Sequence, residues 1–162
     1  AIESAVKIPL LHIADPTAAA IRKAGLSRIG LLGTRFTMEQ DFYRGRLVEQ
    51  HGIDVLTPEA DDRELVHRVI YEELCLGRIE ERSRQAYRDV MQRLVERGAQ
   101  GIILGCTEIS MLVGEQDASV PLYDTTAIHA AAAAELALEA VESATGGEPA
   151  NWRPSSRHTV SS

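Results

Sequence analysis

The chain has 162 residues, a formal net charge of −7, 44% hydrophobic and 25% charged residues, which is one domain's worth of ordinary globular composition. The acidic balance leaves no basic patch for a phosphate backbone, so nucleic acid is excluded as an expected partner. No apolar run reaches the length of a membrane span, and a membrane partner is excluded on the same footing. Aromatic residues are scarce at 4%, so Leu, Ile, Val and Ala must build the core. Two cysteines, Cys75 and Cys106, stand in a chain with no signal-peptide pattern, which implies reduced thiols and a cytoplasmic setting. No Cys/His spacing resembles a metal site and no Gly-rich loop matches a phosphate fingerprint, so no cofactor is expected.

In chain order, Ala1-Ile2-Glu3-Ser4-Ala5-Val6 reads as the end of an element already under way. Residues 8–13 read as a short strand, with Pro9 tolerable only near its start, and His12 as a core histidine within it. Asp15-Pro16-Thr17 is expected to cap a helix from Ala18 to Ala24, stopped by Gly25. Residues 28–33 form a second strand, which leads through Thr34-Arg35-Phe36-Thr37 into a helix over 38–51. A third strand covers 53–56. Asp61-Asp62 then caps a helix over 63–76, and a second amphipathic helix runs over 80–97. The fourth strand is Gly101-Ile102-Ile103-Leu104, the fifth lies at 120–124, and Thr125-Thr126 caps a last helix over 127–143. From Gly146 onward Gly, Pro, Ser, Asn and Arg dominate, the composition of a frayed tail.

Continuous apolar strands alternating with helices imply an α/β fold, a parallel sheet with helices on both faces. Ile8-Pro9-Leu10 followed by Asp15-Pro16-Thr17 is echoed roughly 110 residues later by Val120-Pro121-Leu122 and Asp124-Thr125-Thr126. One reading is that a strand plus a capped helix closes two successive repeats; the other is a chance recurrence of Pro-Leu ahead of an Ala-rich helix. On the first reading roughly 80–90 residues of a two-lobed protein precede the chain.

The chemistry concentrates in Gly101-Ile102-Ile103-Leu104-Gly105-Cys106-Thr107-Glu108-Ile109-Ser110-Met111-Leu112. A buried strand passes through a glycine to a thiol, a hydroxyl and a carboxylate, then resumes as a short apolar helix. Open α/β sheets bind ligands at such a carboxyl end. A helix amino terminus there favours thiolate over thiol, which makes the sulfur a competent base. The alternative is a small buried residue that merely ends a strand, which Cys often is.

The same stretch resembles the second cysteine signature of the aspartate/glutamate racemases: two aliphatics, any residue, a small residue, Cys-Thr, an acidic residue or His, and an apolar tail. The resemblance continues, in family order, through Ile29-Gly30-Leu31-Leu32-Gly33-Thr34-Arg35-Phe36-Thr37-Met38, Asp41-Phe42-Tyr43, Glu72-Glu73-Leu74 and Asp124-Thr125-Thr126-Ala127-Ile128-His129-Ala130. It implies one lobe of a two-lobed, pseudo-symmetric fold, and an enzyme that inverts an amino-acid α-carbon without pyridoxal phosphate or metal. Two cysteines on opposite faces of the substrate, one per lobe, exchange the roles of thiolate base and thiol acid. By this resemblance Cys106 is the second-lobe acid/base, and Thr107 holds the substrate carboxylate. Glu108 is matched by position and is expected to orient the α-amino group or Cys106, and Thr34 and Thr37 would supply further donors for a carboxylate. The implied partner is a small amino acid, aspartate or glutamate, and the implied full-length assembly is a homodimer.

The first-lobe cysteine has no counterpart here, and Cys75, late in an expected helix, reads as structural. Residues 1–9 are therefore expected to be a remnant of the first lobe and 10–126 the second lobe. The helix over 127–143 would pack back toward the first lobe, and 144–162 would be a disordered tail. Such a chain alone is expected to be inactive or weakly active. Related cysteine-dependent enzymes (maleate isomerase, hydantoin racemase, arylmalonate decarboxylase) and a non-catalytic binding fragment are the alternatives. His129 and Arg35 are lesser candidates, the arginine for a second substrate carboxylate.

Overall fold

The computed structural model describes residues 10–145, with side chains placed through Glu139. The residues assigned above to a first-lobe remnant, 1–9, and those beyond 145 lie outside the described residues. The elements are α1 (Ala14–Lys23), β1 (Arg28–Leu32), α2 (Arg35–Glu39), α3 (Asp41–His51), β2 (Asp54–Leu56), α4 (Ala60–Glu72), α5 (Glu81–Glu96), β3 (Ile102–Leu104), α6 (Ile109–Leu112), β4 (Leu122–Asp124) and α7 (Thr125–Thr145). Single 3-10 turns at Leu74–Leu76 and Glu115–Asp117 complete the order.

The four strands are all parallel, in the order β2-β1-β3-β4. Period-two alternation divides their side chains between two helical layers. Ile29, Leu31, Val55, Ile103 and Tyr123 meet Ala18 and Ile21 of α1 and Tyr43 and Leu47 of α3. Leu32, Ile102 and Leu104 meet Val66 and Ile70 of α4, Tyr87, Met91 and Leu94 of α5, and Ile109 of α6. A sheet buried on both faces explains why its strands read as unbroken apolar runs. Gly30 has a definite reason to be glycine: a Cβ there would stand 2.6 Å from Cδ1 of Ile102 and 3.0 Å from Cδ1 of Leu94.

The order of strands matters for the site. From β1 the chain moves outward to β2; from β3 it moves the opposite way to β4. The connections therefore diverge between β1 and β3, and the crevice at their carboxyl ends is the topological switch point.

Several expectations are corrected. Leu10 and Leu11 are not in a strand, so the described sheet has four strands rather than five. His12 sits in a turn and accepts the Ala14 N–H at Nδ1, 3.1 Å away. That start places Pro16 within the first turn of α1, where its missing N–H costs nothing. Asp15 is consequently not a cap. Its carboxylate takes a two-pronged bond from Arg46 (2.7 and 2.8 Å) and a 3.0 Å contact from Nε2 of His51, which ties α1 to α3. The helix expected over 38–51 is broken at Gln40, which is extended (φ −87°, ψ 146°). The helix expected over 63–76 ends at Glu72, ahead of the 3-10 turn. At α7 the cap is Asp124, whose Oδ1 accepts the N–H of Thr126 (2.9 Å) and Ala127 (3.2 Å). The helix continues through Thr145, so residues 144 and 145 are helical rather than tail.

Candidate active site

Leu32 of β1 is the register partner of Leu104 of β3. Two residues beyond each stand Thr34 and Cys106, so the parallel ladder itself brings them to neighbouring strand tips. Gly105 makes this approach possible. Its N–H donates to the Leu32 carbonyl at 2.7 Å, and a Cβ on it would lie 3.0 Å from that oxygen and 3.0 Å from Cγ2 of Thr37. Thr37 is equally close on the other side, its Cβ standing 2.9 Å from where a Cβ on Gly33 would be. The Thr37 methyl is thus wedged between the two glycines that end β1 and β3. Thr34 caps α2: its Oγ1 accepts the Thr37 N–H at 3.4 Å, and the two hydroxyl oxygens are 3.2 Å apart.

Cys106 is half-buried and packs against the α4–α5 core layer. Its Sγ donates to Oε2 of Glu108 at 2.9 Å, and the Thr107 hydroxyl donates to the same oxygen at 2.7 Å. Burial, and then the bond to Glu108, push the Cys106 thiol up to about 12. The same thiol, with Thr107 next, holds the Glu108 carboxyl below its usual range. Near neutrality the pair is therefore thiol and carboxylate.

This corrects the expectation of a thiolate. The helix after Cys106 has only four residues, too short for an appreciable macrodipole, and the nearest full charge is a carboxylate that opposes ionisation. The resting sulfur is a proton donor. Its conjugate thiolate, partly desolvated and beside Glu108, would be strongly basic.

Below the thiol, Tyr87 is fully buried and donates to the Val66 carbonyl at 2.9 Å. Burial first, and then the charge that Cys106 would carry, raise its phenol far above the ordinary value. Cys75 is exposed in the 3-10 turn rather than packed in a helix. That correction has a simple cause: the helix ends early, and Leu74 takes the buried position instead.

The expected site residues Thr34, Thr37, Cys106, Thr107 and Glu108 thus gather at the ends of β1 and β3. Arg35 does not join them as a free cation: its guanidinium is paired with Glu64, and its backbone N–H meets Nδ1 of His67 at 3.3 Å. His129, in the second turn of α7, has a buried Nδ1 without a hydrogen-bond partner. Sequence reasoning missed Thr125, which it took for a cap and which is buried against β3 instead. A cleft of about 210 Å³ between the start of α4 and the end of α5 includes none of these residues, and its Arg93 is committed to Asp62 at 2.7 and 2.8 Å. Among the described residues no group of three or more His, Cys, Asp or Glu is placed to hold a metal ion, and no helix is long and apolar enough to cross a membrane.

The family model of the Asp/Glu/hydantoin racemases matches residues 1–133. The chain belongs to the Asp/Glu/hydantoin racemase family. Among solved members, a candidate Asp/Glu racemase from Yersinia pestis is similar at 66% identity and a TM-score of 0.82, over 85% of this chain and 60% of that one. An aspartate racemase homologue from Pyrococcus horikoshii OT3 shares 34% identity at a TM-score of 0.78, with the same coverage. The Picrophilus torridus aspartate racemase, at 24% identity and a TM-score of 0.58 over 77% of this chain and 52% of that one, shares the fold. An uncharacterized protein in the pnlA 3′ region of Pectobacterium carotovorum subsp. carotovorum is 32% identical over 114 residues, 70% of this chain and 74% of that protein. The chain spans about three-fifths of the length of the two solved racemase-family structures that it matches best among these.

Proposed function

We propose that this chain carries one half of a cofactor-independent amino-acid racemase site, with Cys106 as the acid/base on one face of the substrate α-carbon. The observation that carries this reading is the thiol–carboxylate pair of Cys106 and Glu108 (2.9 Å), set at the switch point beside Thr34 and Thr37. A base on the opposite face removes the α-proton and leaves a carbanion. The Cys106 S–H then donates its proton to that carbon, the S–H bond breaking as the new C–H bond forms, and sulfur is left as thiolate. In the reverse direction this thiolate is the base. Glu108 orients the S–H and, by its charge, drives the thiolate to recover a proton. Thr34 and Thr37 offer hydroxyl donors to a substrate carboxylate once their contact with each other is exchanged for it, and Thr107 does so once its bond to Glu108 is exchanged.

The opposite-face group is, on this proposal, supplied from outside residues 10–145. The span of about three-fifths of the relatives' length is consistent with that. Aspartate or glutamate is the proposed substrate, supported by the Yersinia pestis relative, named for both amino acids, and by the Pyrococcus horikoshii relative, named for aspartate. A homodimer working in the cytoplasm completes the proposal.

The test is Cα–H exchange in deuterated water with L- and D-aspartate and glutamate, followed by proton NMR. It compares this chain with a form extended upstream in its gene. The extended form should exchange and invert the α-centre, whereas the present chain should do so slowly or not at all. Absence of deuterium at Cα in the extended form with all four substrates would refute the racemase reading. Full racemisation by the present chain would refute the need for a second lobe.

A further inference from the structure

The peptide between Leu104 of β3 and Gly105 is fixed by two bonds to two different elements. Gly105 N–H reaches the Leu32 carbonyl on β1 at 2.7 Å. On the other side, the Leu104 carbonyl accepts the hydroxyl of Thr125, the first residue of α7, at 3.1 Å. Thr125 is 3% exposed, so this bond is made out of water.

Its position at the start of α7 suggests a helix cap, but that duty is filled. Asp124 accepts the N–H groups of Thr126 and Ala127, which leaves the Thr125 hydroxyl for the sheet. It extends the β3–β4 ladder past Leu104 and Asp124, the last register pair, by one side-chain bond.

The need for that bond lies in Gly105. Close approach to Leu32 and Thr37 forbids a Cβ there, and a glycine backbone has more conformations open to it than any other. The residue that lets the strand tips touch is thus the one least able to hold Cys106 still. With its N–H on Leu32 and its carbonyl on Thr125, the Leu104–Gly105 peptide is held at both ends, so the glycine turns toward Cys106 from a fixed plane.

We propose that Thr125 is the positioning residue for Cys106: its hydroxyl, held on the Leu104 carbonyl, fixes the strand exit so that Sγ meets Glu108. Calling the positioned thiol an acid/base rests on the racemase reading, but the tie does not. The two fail separately, because the test reads thiol reactivity rather than turnover.

Thr125→Val keeps the shape and removes the hydroxyl; Thr125→Ser keeps the hydroxyl. Iodoacetamide alkylation of Cys106 is followed by peptide mass spectrometry from pH 7 to 11, with the exposed Cys75 as internal reference. In Thr125→Val the Cys106 profile should move to lower pH, with the rate at pH 8.5 up about fivefold, the factor of one ordinary hydrogen bond. Thr125→Ser should follow the native profile. An unchanged Cys106 profile in a folded Thr125→Val protein, or a serine variant that behaves like the valine one, would overturn the proposal. If circular dichroism shows the valine variant unfolded, Thr125→Ala is judged by the same two criteria.

Discussion

Replacing Glu108 by Gln tests the electrostatics of the site directly. The side chain keeps its length and an acceptor oxygen but loses its charge, so the 2.9 Å bond from Cys106 Sγ becomes an ordinary neutral one. Hydrogen bonds to a charged group contribute roughly 1.5–3 kcal/mol, against about 1 kcal/mol for neutral pairs. The difference favours the thiol by about tenfold in its ionisation equilibrium. Burial is the larger cause of the elevated thiol, which is held up to about 12, and burial is unchanged by the substitution. The Cys106 profile in Glu108→Gln should therefore move down while remaining above that of a free cysteine. The assay is stopped-flow or quenched alkylation with mass-spectrometric readout of both cysteines. At pH 8.5 Cys106 should react about tenfold faster than in the native chain, with Cys75 unchanged. If Cys106 reacts at the native rate, or more slowly, Glu108 does not hold the thiol and the acid role argued for the resting sulfur loses its basis.

Other predictions follow from the same geometry. Gly105→Ala places a methyl 3.0 Å from the Leu32 carbonyl oxygen and from Thr37 Cγ2; the backbone oxygen cannot step aside, so the variant should lose about 1–3 kcal/mol in urea unfolding. It should also lose any α-proton exchange shown by the native protein. Asp15, held at about 2 first by Arg46, with His51 assisting against burial, should contribute roughly 1–2 kcal/mol once solvent screening of a partly exposed pair is allowed for. Because its folded value lies below the ordinary 3.8, that stability is present above about pH 4 and is lost as pH falls toward 2. Unfolding curves of Asp15→Asn should accordingly differ from native at pH 7 and converge with it near pH 2.

The parallel sheet was legible because a strand buried on both faces has to be apolar throughout, as Ile29 to Leu32 and Ile102 to Leu104 are. Part of the candidate site was legible for a related reason: Cys106 follows a glycine at the end of such a run, whereas Thr34 and Thr37 were marked by the family resemblance, and the pairing of Leu32 with Leu104 brings the two strand ends together. Some of what escaped was local: Thr34 is the cap that starts a turn of helix at Arg35, ahead of the extended Gln40. Other features were decided by tertiary partners. Asp15 reads as a cap until Arg46 and His51 arrive from α3. The charge state of Cys106 was misjudged because the helix following it was given a dipole that four residues cannot supply, while Glu108, two positions away, was read only as an orienting group. Thr125 was hidden by its neighbour, since Asp and Thr both cap helices and only the fold shows which of them does.

Proton exchange at the α-carbon in deuterated water decides the central claim. It is measured on the upstream-extended protein with Cys106 intact and with Cys106→Ser. The native protein should place deuterium on aspartate or glutamate with inversion. The serine variant, whose hydroxyl is a far weaker acid/base in this position, should invert at least about a thousandfold more slowly. Inversion by Cys106→Ser at a rate near the native one would contradict the account, because the thiol around which the site is built would then have no part in moving the proton.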